Sequence, residues 1–147
     1  MWIILFGVLF ASDTQSAQGV MKIRHSDSYT VRLWGVLDGE RYATTSGLGI
    51  AGEVDYYQGK RPKLEHLSAT VVVLMPKKNG FEEIVSQECK ISLPPNDETK
   101  VEYLTNISAE SGWPPGPAIV RVFFYDKSQT KVIQRASDTK YLTFVRD

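Results

Sequence analysis

Few residues of this sequence have the types and spacing that catalysis needs. The 147-residue chain contains two histidines, His25 and His66. His25 precedes Asp27 by two residues and His66 follows Glu65, so each could act as a general base with a nearby acid or serine. Such a pair needs a third group that is close in space, and Ser and Asp are also common turn residues. We therefore interpret both histidines as parts of polar loops and predict no catalytic residue.

Metal binding is equally poorly supported. Glu53 and Asp55 are two residues apart, so on a strand their side chains share one face. Two carboxylates fall short of the six to eight oxygen ligands that Ca²⁺ takes. The single cysteine, Cys89, excludes both an intrachain disulfide and a cysteine-rich metal site. We expect no metal and no cofactor, a solvated pair of acids, and a buried, apolar role for Cys89.

One glycine pattern imitates a nucleotide-binding motif. Gly47, Gly49 and Gly52 have the spacing G-x-G-x-x-G. A dinucleotide site would also need a helix after the last glycine. The following residues, EVDYYQGKRP, are typical of strands and turns, so we reject that function and expect the glycines at bends or bulges.

The aromatic residues are the better indication of a ligand. Flat exposed rings stack on sugars or anchor a protein partner. Tyr56, Tyr57 and Trp113 are the candidate ligand-binding residues. The competing interpretation places Trp34 and Trp113 in the core or at a corner, because Trp is largely buried in most proteins. Since adjacent strand residues point to opposite faces, one of the two tyrosines should be exposed.

Composition and length favour one globular domain. Hydrophobic residues make up 42% and charged residues 23% of the chain, with a formal net charge of zero. This balance argues against disorder, and a nucleic-acid partner is not expected because a basic stripe is lacking. A chain of this length forms one domain with a real core.

The first nineteen residues differ from the rest. Trp2 to Ala11 form an apolar run of ten, which is too short to span a membrane as a helix. Ala17-Gln18-Gly19 has the small-x-small form of a signal-peptidase site, although no Lys or Arg precedes the run. We predict a signal peptide at residues 1–19, a single domain at 20–147, a secreted or periplasmic location, and no stable membrane span in the mature chain. The alternative is that the apolar run forms a first strand.

Strand and turn signals dominate the remainder. Trp113 to Asp126 predicts a central strand after a Pro-Pro-Gly-Pro corner, because its residues are apolar on both faces. Ala69 to Met75 predicts a second core strand. Asp38-Gly39 and Asn79-Gly80 each predict a β-hairpin. With about eight to ten short strands and no helical periodicity, the sequence predicts an all-β, antiparallel sandwich.

The C-terminal third resembles immunoglobulin-like and fibronectin type III-like sandwich modules. The resemblance is carried by these residues: Ile91-Ser92-Leu93-Pro94-Pro95, Trp113-Pro114-Pro115-Gly116-Pro117, Ile119 to Phe123, and Leu142 to Val145. It implies an antiparallel immunoglobulin-like β-sandwich and no activity, because such sandwiches host many unrelated functions. The Cys…Trp…Cys framework of true immunoglobulin domains is missing.

Together these observations predict a non-catalytic binding or assembly module with an unknown protein or carbohydrate ligand. One alternative is a carbohydrate-binding module that uses exposed aromatic rings. A second alternative is a small hydrolase that uses His25 or His66.

Overall fold

Two packed β-sheets form the described part of the protein. The computed structural model describes residues 29–57, 59–128 and 134–147. Its strands, in chain order, are β1 (Tyr29–Leu33), β2 (Glu40–Ala43), β3 (Leu48–Tyr56), β4 (Leu67–Lys77), β5 (Gly80–Glu88), β6 (Lys90–Ser92), β7 (Lys100–Ile107), β8 (Gly116–Asp126) and β9 (Gln134–Val145). One sheet has the order β1-β3-β7-β6 and the other has the order β2-β9-β8-β4-β5. Within the described residues, no helix has the length and apolar character needed to span a membrane.

The strand order is that of an immunoglobulin-like sandwich. All neighbours are antiparallel except β2 and β9, which pair in parallel. If β1, β3, β7 and β6 are equated with strands A, B, E and D, then β9, β8 and β4 take the places of G, F and C in the facing sheet. The predicted all-β, immunoglobulin-like sandwich is therefore confirmed, with nine strands in the described residues.

The central strand lies where its sequence predicts. β8 pairs with β4 on one side and β9 on the other. Every second residue points between the sheets and is at most 2% exposed: Ala118, Val120, Val122 and Phe124. Alternation of this kind follows from the two-residue period of a strand, so one register fills the core. β4 supplies the neighbouring core residues, as expected for the second strong strand.

The hairpin prediction is correct at Asn79-Gly80 and wrong at Asp38-Gly39. β4 and β5 pair across Asn79-Gly80, with Lys77 opposite Gly80. At Asp38-Gly39, however, Gly39 N donates to Tyr141 O at 2.7 Å, and Tyr141 N donates to an Asp38 carboxylate oxygen at 2.7 Å. The turn residues are thus bonded to β9, and β2 continues alongside that strand in the other sheet. A local turn signal does not specify with which strand the residues after the turn will pair.

The glycines of β3 do not mark bulges. Gly49 and Gly52 pair regularly with Asn106 and Tyr103 of β7. Gly52 instead allows a close approach. A Cβ atom there would lie 2.0 Å from Arg32 O and 2.1 Å from the Tyr103 hydroxyl. The Tyr103 ring therefore crosses the inner face of β3, and its hydroxyl donates to Arg32 O of β1. The expectation of bends or bulges is corrected at these two positions.

Cys89 lies where the chain leaves one sheet for the other. It separates β5 from β6, and its N–H donates to Ala69 O of β4 at 2.9 Å. The residue is 7% exposed, and burial raises the pKa of its thiol to about 11, with a smaller contribution from Glu88. The prediction of a buried, apolar cysteine is confirmed.

Candidate functional site

Tyr56, one of the three predicted ligand-stacking residues, lies in the core. Tyr56 is 7% exposed and its ring lies 5.0 Å from that of Tyr29, between the sheets. Its hydroxyl donates to an Asp126 carboxylate oxygen at 2.8 Å, and burial together with this hydrogen bond raises the pKa of Tyr56. The Tyr56 ring therefore cannot stack on a ligand that arrives from solvent.

Trp113 is a corner residue. It is 3% exposed and stacks on Phe144 with the ring centroids 4.7 Å apart and nearly parallel. Its indole N–H donates to Ser46 O at 2.6 Å and its backbone N–H to Thr44 O at 2.7 Å. The competing interpretation from the sequence is confirmed for Trp113, which ties the approach to β8 to the end of β2. It is wrong for Trp34, which is 51% exposed.

Tyr57 is the member of the predicted set that remains at the surface, with 57% of the residue exposed. The sequence argument that one of two adjacent tyrosines would be exposed is thereby confirmed. The structure does not bring Tyr57 together with Tyr56 or Trp113 on one face. Whether Tyr57 binds a ligand stays a prediction.

The two candidate metal-binding acids, Glu53 and Asp55, form ion pairs within the protein. Lys100 bridges the two acids Glu53 and Asp55, with its Nζ 3.0 Å from Glu53, and Arg32 lies 3.6 Å from Asp55. The hydrogen bonds to Asp55 and Glu53 raise the pKa of Lys100. The prediction of a solvated pair of acids is therefore wrong, because their side chains are only 12% and 19% exposed and are paired with cations. The described residues hold no cluster of three or more His, Cys, Asp or Glu that could bind a metal ion.

The hydrolase alternative gains no support from His66. Among the described residues, no hydrogen bond or ion pair joins its imidazole to an acid or a serine, and its backbone groups bond to Lys63 and Lys127. His25 lies outside the described residues.

Two of the seven exposed large apolar residues in the described part of the chain, Phe81 and Tyr141, lie on the solvent-side face of the five-stranded sheet, which we call the outer face. Strand register places Leu74 directly beside Ile119, and Ile119 beside Tyr141. Phe81 of β5 pairs with Pro76 in the adjoining row. Phe81 and Tyr141 are 54% and 56% exposed, whereas Leu74 and Ile119 between them are half-buried. An apolar band therefore crosses the outer face from β5 to β9.

This band contains a depression of about 350 Å³. Its walls come from β4, β5, β8 and β9 and from the turn before β2. The lining residues are Gly39, Pro76, Phe81, Pro117, Ala118, Ile119, Tyr141, Leu142 and Thr143. Cavities of this size lie at the lower end of the range that holds small ligands. Contiguous exposed apolar surface is typical of sites for protein or ligand binding.

Charges of opposite sign flank the band. Glu83 and Glu88 of β5 pair with Leu74 and Thr70, which point outward, so both acids belong to the outer face. On the opposite side, Arg121 Nε donates to Thr139 Oγ1 at 2.9 Å, and the Arg135 guanidinium lies 5.7 Å from the centre of the Phe123 ring. The outer face thus has two acids on the edge strand β5, one arginine on the central strand β8 and one on β9.

Sequence reasoning did not identify this surface. The predicted central strand contains its outward residues Ile119 and Phe123, but apolar residues on both faces of a strand indicate only that the strand is central. Phe81 and Tyr141 belong to separate strands, and only sheet pairing brings them to one face. The signal that could have found the surface was the second apolar row of β8, because a sandwich of two sheets leaves the outward row of a central strand on the outside.

Of the comparisons with known proteins, only the one with solved structures gives matches. No family model and no curated protein matches the chain. Six chains of solved structures match it. One is the major subunit of the aggregative adherence fimbriae type I of Escherichia coli, with 10% sequence identity and a TM-score of 0.38 over 82% of this chain and 98% of that one. This likeness is too loose for a conclusion about function.

Proposed function

We propose that this chain is an exported, non-catalytic binding module that docks a protein partner on the outer face of its five-stranded sheet. One observation carries the proposal: Phe81 and Tyr141 are more than half exposed at the two ends of an apolar band with a depression between them. Aromatic anchors around a recess are typical of the centre of protein interfaces. The predicted signal peptide supports export.

A protein ligand fits this surface better than a sugar does. The carbohydrate alternative relied on Tyr56, Tyr57 and Trp113, and two of these rings are buried. The outer face offers an apolar recess flanked by charges, which suits side chains of a partner protein.

Site-specific photo-crosslinking tests this proposal. A benzophenone amino acid replaces Phe81 or Tyr141, and irradiation is performed on cells that produce the chain. We expect defined crosslinked protein adducts from both positions. The control position is Leu104, which is 54% exposed on the outside of the other sheet. Equal adducts from Leu104, or none from Phe81 and Tyr141, would contradict the proposal.

A further inference from the structure

The end of β7 contains a motif that the proposed function does not use. Asn106-Ile107-Ser108 has the form N-x-S, and its middle residue is not proline. Acceptor sites for N-linked glycans have this form, and they are used in chains that enter a secretory pathway. The predicted signal peptide is the expected means of entry. Because so short a motif also occurs by chance, its place in the fold decides whether it can carry a glycan.

Both polar residues of the motif are at the surface. Side chains alternate along a strand, and Tyr103 and Ile107 of β7 point into the core with at most 4% exposure. Asn106 therefore points to the solvent side of the four-stranded sheet, as Leu104 does, and both residues are exposed. Ser108 is also exposed and follows the last residue of β7. The motif thus has the exposure that a glycan acceptor needs.

The sheet leaves room for a bulky group beside Asn106. Its partner on β3 is Gly49, and a Cβ added there would have Asn106 Oδ1, at 3.6 Å, as its nearest neighbour. The next position across the sheet is also a glycine, because a Cβ added to Gly35 would lie 2.2 Å from Gly49 O. On the other side of β7, β6 pairs only with residues 102–104. A sugar on Asn106 therefore meets no side chain from the paired position on β3 and no paired residue of β6.

An exposed apolar residue lies next to the motif. Leu104 is 54% exposed and is two residues from Asn106 on the same face, a distance of about 6.8 Å along the strand. A glycan is large and solubilising, so one attached to Asn106 would shield Leu104 from other proteins. The outer face of the five-stranded sheet would then be the apolar surface that stays open to a partner.

We propose that Asn106 is the acceptor of an N-linked glycan. In the transfer, Asn106 Nδ2 forms a bond to C1 of the first N-acetylhexosamine, and the bond from that carbon to the pyrophosphate of a lipid-linked oligosaccharide breaks. The amide loses one proton and the lipid pyrophosphate is the leaving group. The inference goes beyond the proposed function and does not depend on it, because it concerns the opposite sheet. It is carried by the motif, the exposure of Asn106 and Ser108, and the glycines beside them.

Mass spectrometry of the secreted protein, recovered from its native host, tests the assignment. We expect the peptide that contains Asn106 to have its mass increased by N-acetylhexosamine and hexose units. Asn106→Gln and Ser108→Ala should each abolish the modification, whereas Ser108→Thr, which keeps the hydroxyl, should retain it. The chain produced without residues 1–19 should stay unmodified, because it does not enter the pathway.

Circular dichroism of each variant establishes that it is folded. The inference is overturned if Asn106 of the secreted protein is unmodified, or if the Ser108→Ala variant is still modified at Asn106. Crosslinks from Phe81 and Tyr141 in a chain with an unmodified Asn106 would overturn the glycan and leave the proposed function standing. A modified Asn106 in a chain without those crosslinks would do the reverse.

Discussion

At the scale of single residues, Gly52 matters because its missing side chain leaves room for a neighbouring ring. Gly52 has no side chain, and the space is filled by the Tyr103 ring from the paired position on β7. The hydroxyl of that ring reaches Arg32 O and so links β7 to β1 across β3. Tyr103 is 1% exposed, so this link lies in the core. Aromatic filling of a strand glycine compensates for its lost packing.

Replacement of Gly52 by alanine should therefore be costly. The new Cβ would overlap the Tyr103 ring and Arg32 O, so the ring must move and its hydrogen bond is lost. Overpacking and an unpaired buried polar group together predict a loss of about 2–4 kcal/mol in the free energy of unfolding. Urea denaturation followed by circular dichroism measures the change.

Gly49→Ala is the matched control on the same strand. The nearest atom to its added Cβ is Asn106 Oδ1 at 3.6 Å, which is an ordinary contact. The expected change is within about 0.5 kcal/mol, or slightly stabilising. Equal losses for the two variants would show that the Tyr103 crossing does not determine the requirement for glycine.

At the scale of elements, one arginine holds a loop that no strand includes. Arg61 Nη1 donates to Pro94 O at 2.6 Å, to Lys100 O at 2.9 Å and to Asp97 O. Its backbone N–H donates to Glu98 O at 2.7 Å. The segment before β4 and the loop before β7 are thereby joined by this clamp, next to the Asp55–Lys100 pair of β3 and β7.

Arg61→Met should loosen that clamp while it preserves the aliphatic stem. Three partly buried carbonyls lose a charged donor, so we expect about 1.5–3 kcal/mol less stability. The neighbouring variant Lys60→Met removes an ion pair with Glu98 whose side chains are 76% and 61% exposed, and should cost at most about 0.5 kcal/mol. Urea midpoints of both variants provide the comparison, and a smaller loss for Arg61→Met than for Lys60→Met would contradict the clamp.

At the scale of the whole molecule, the space between the sheets contains three tyrosines with raised pKa values. Burial is the largest cause for Tyr29, Tyr56 and Tyr103, and the nearby carboxylates Asp126 and Asp138 add to it. The folded state therefore retains the neutral phenols at a pH where the unfolded chain ionises.

This predicts alkaline unfolding with a definite sign. The stabilisation is complete below pH 10, the ordinary tyrosine value, and falls as the pH rises above it, because the unfolded chain then releases protons that the folded chain keeps. Absorbance at about 295 nm should show the three buried phenols titrating together with the loss of circular dichroism. Titration of all seven tyrosines near pH 10 in a chain that remains folded would be the opposite result.

The predicted export concerns the whole chain, and it is tested by the intact mass of the protein. Protein recovered from its native host should lack residues 1–16 or 1–19, because a signal peptidase removes the apolar run with its polar flank. Recovery of the full-length mass would instead favour the alternative in which Trp2 to Ala11 is retained.

The sequence by itself determined the fold class, the central strand and one hairpin. These features have local signals: two-residue alternation from Ala118 to Phe124 predicts β8, and Asn79-Gly80 predicts the β4–β5 turn. The prediction for Cys89 also needed no tertiary information, because free cysteine is among the most buried residue types.

Only the tertiary structure decided which aromatic rings face solvent and with which strand the residues of a turn form hydrogen bonds. Tyr56 and Tyr57 have similar local sequences, yet the facing sheet and Asp126 cover only Tyr56. Asp38-Gly39 forms a turn, but Tyr141 of a strand about a hundred residues later accepts and donates its hydrogen bonds. Periodicity reports alternation along one strand, whereas these outcomes depend on contacts between strands that are distant in sequence, and so does the outer face.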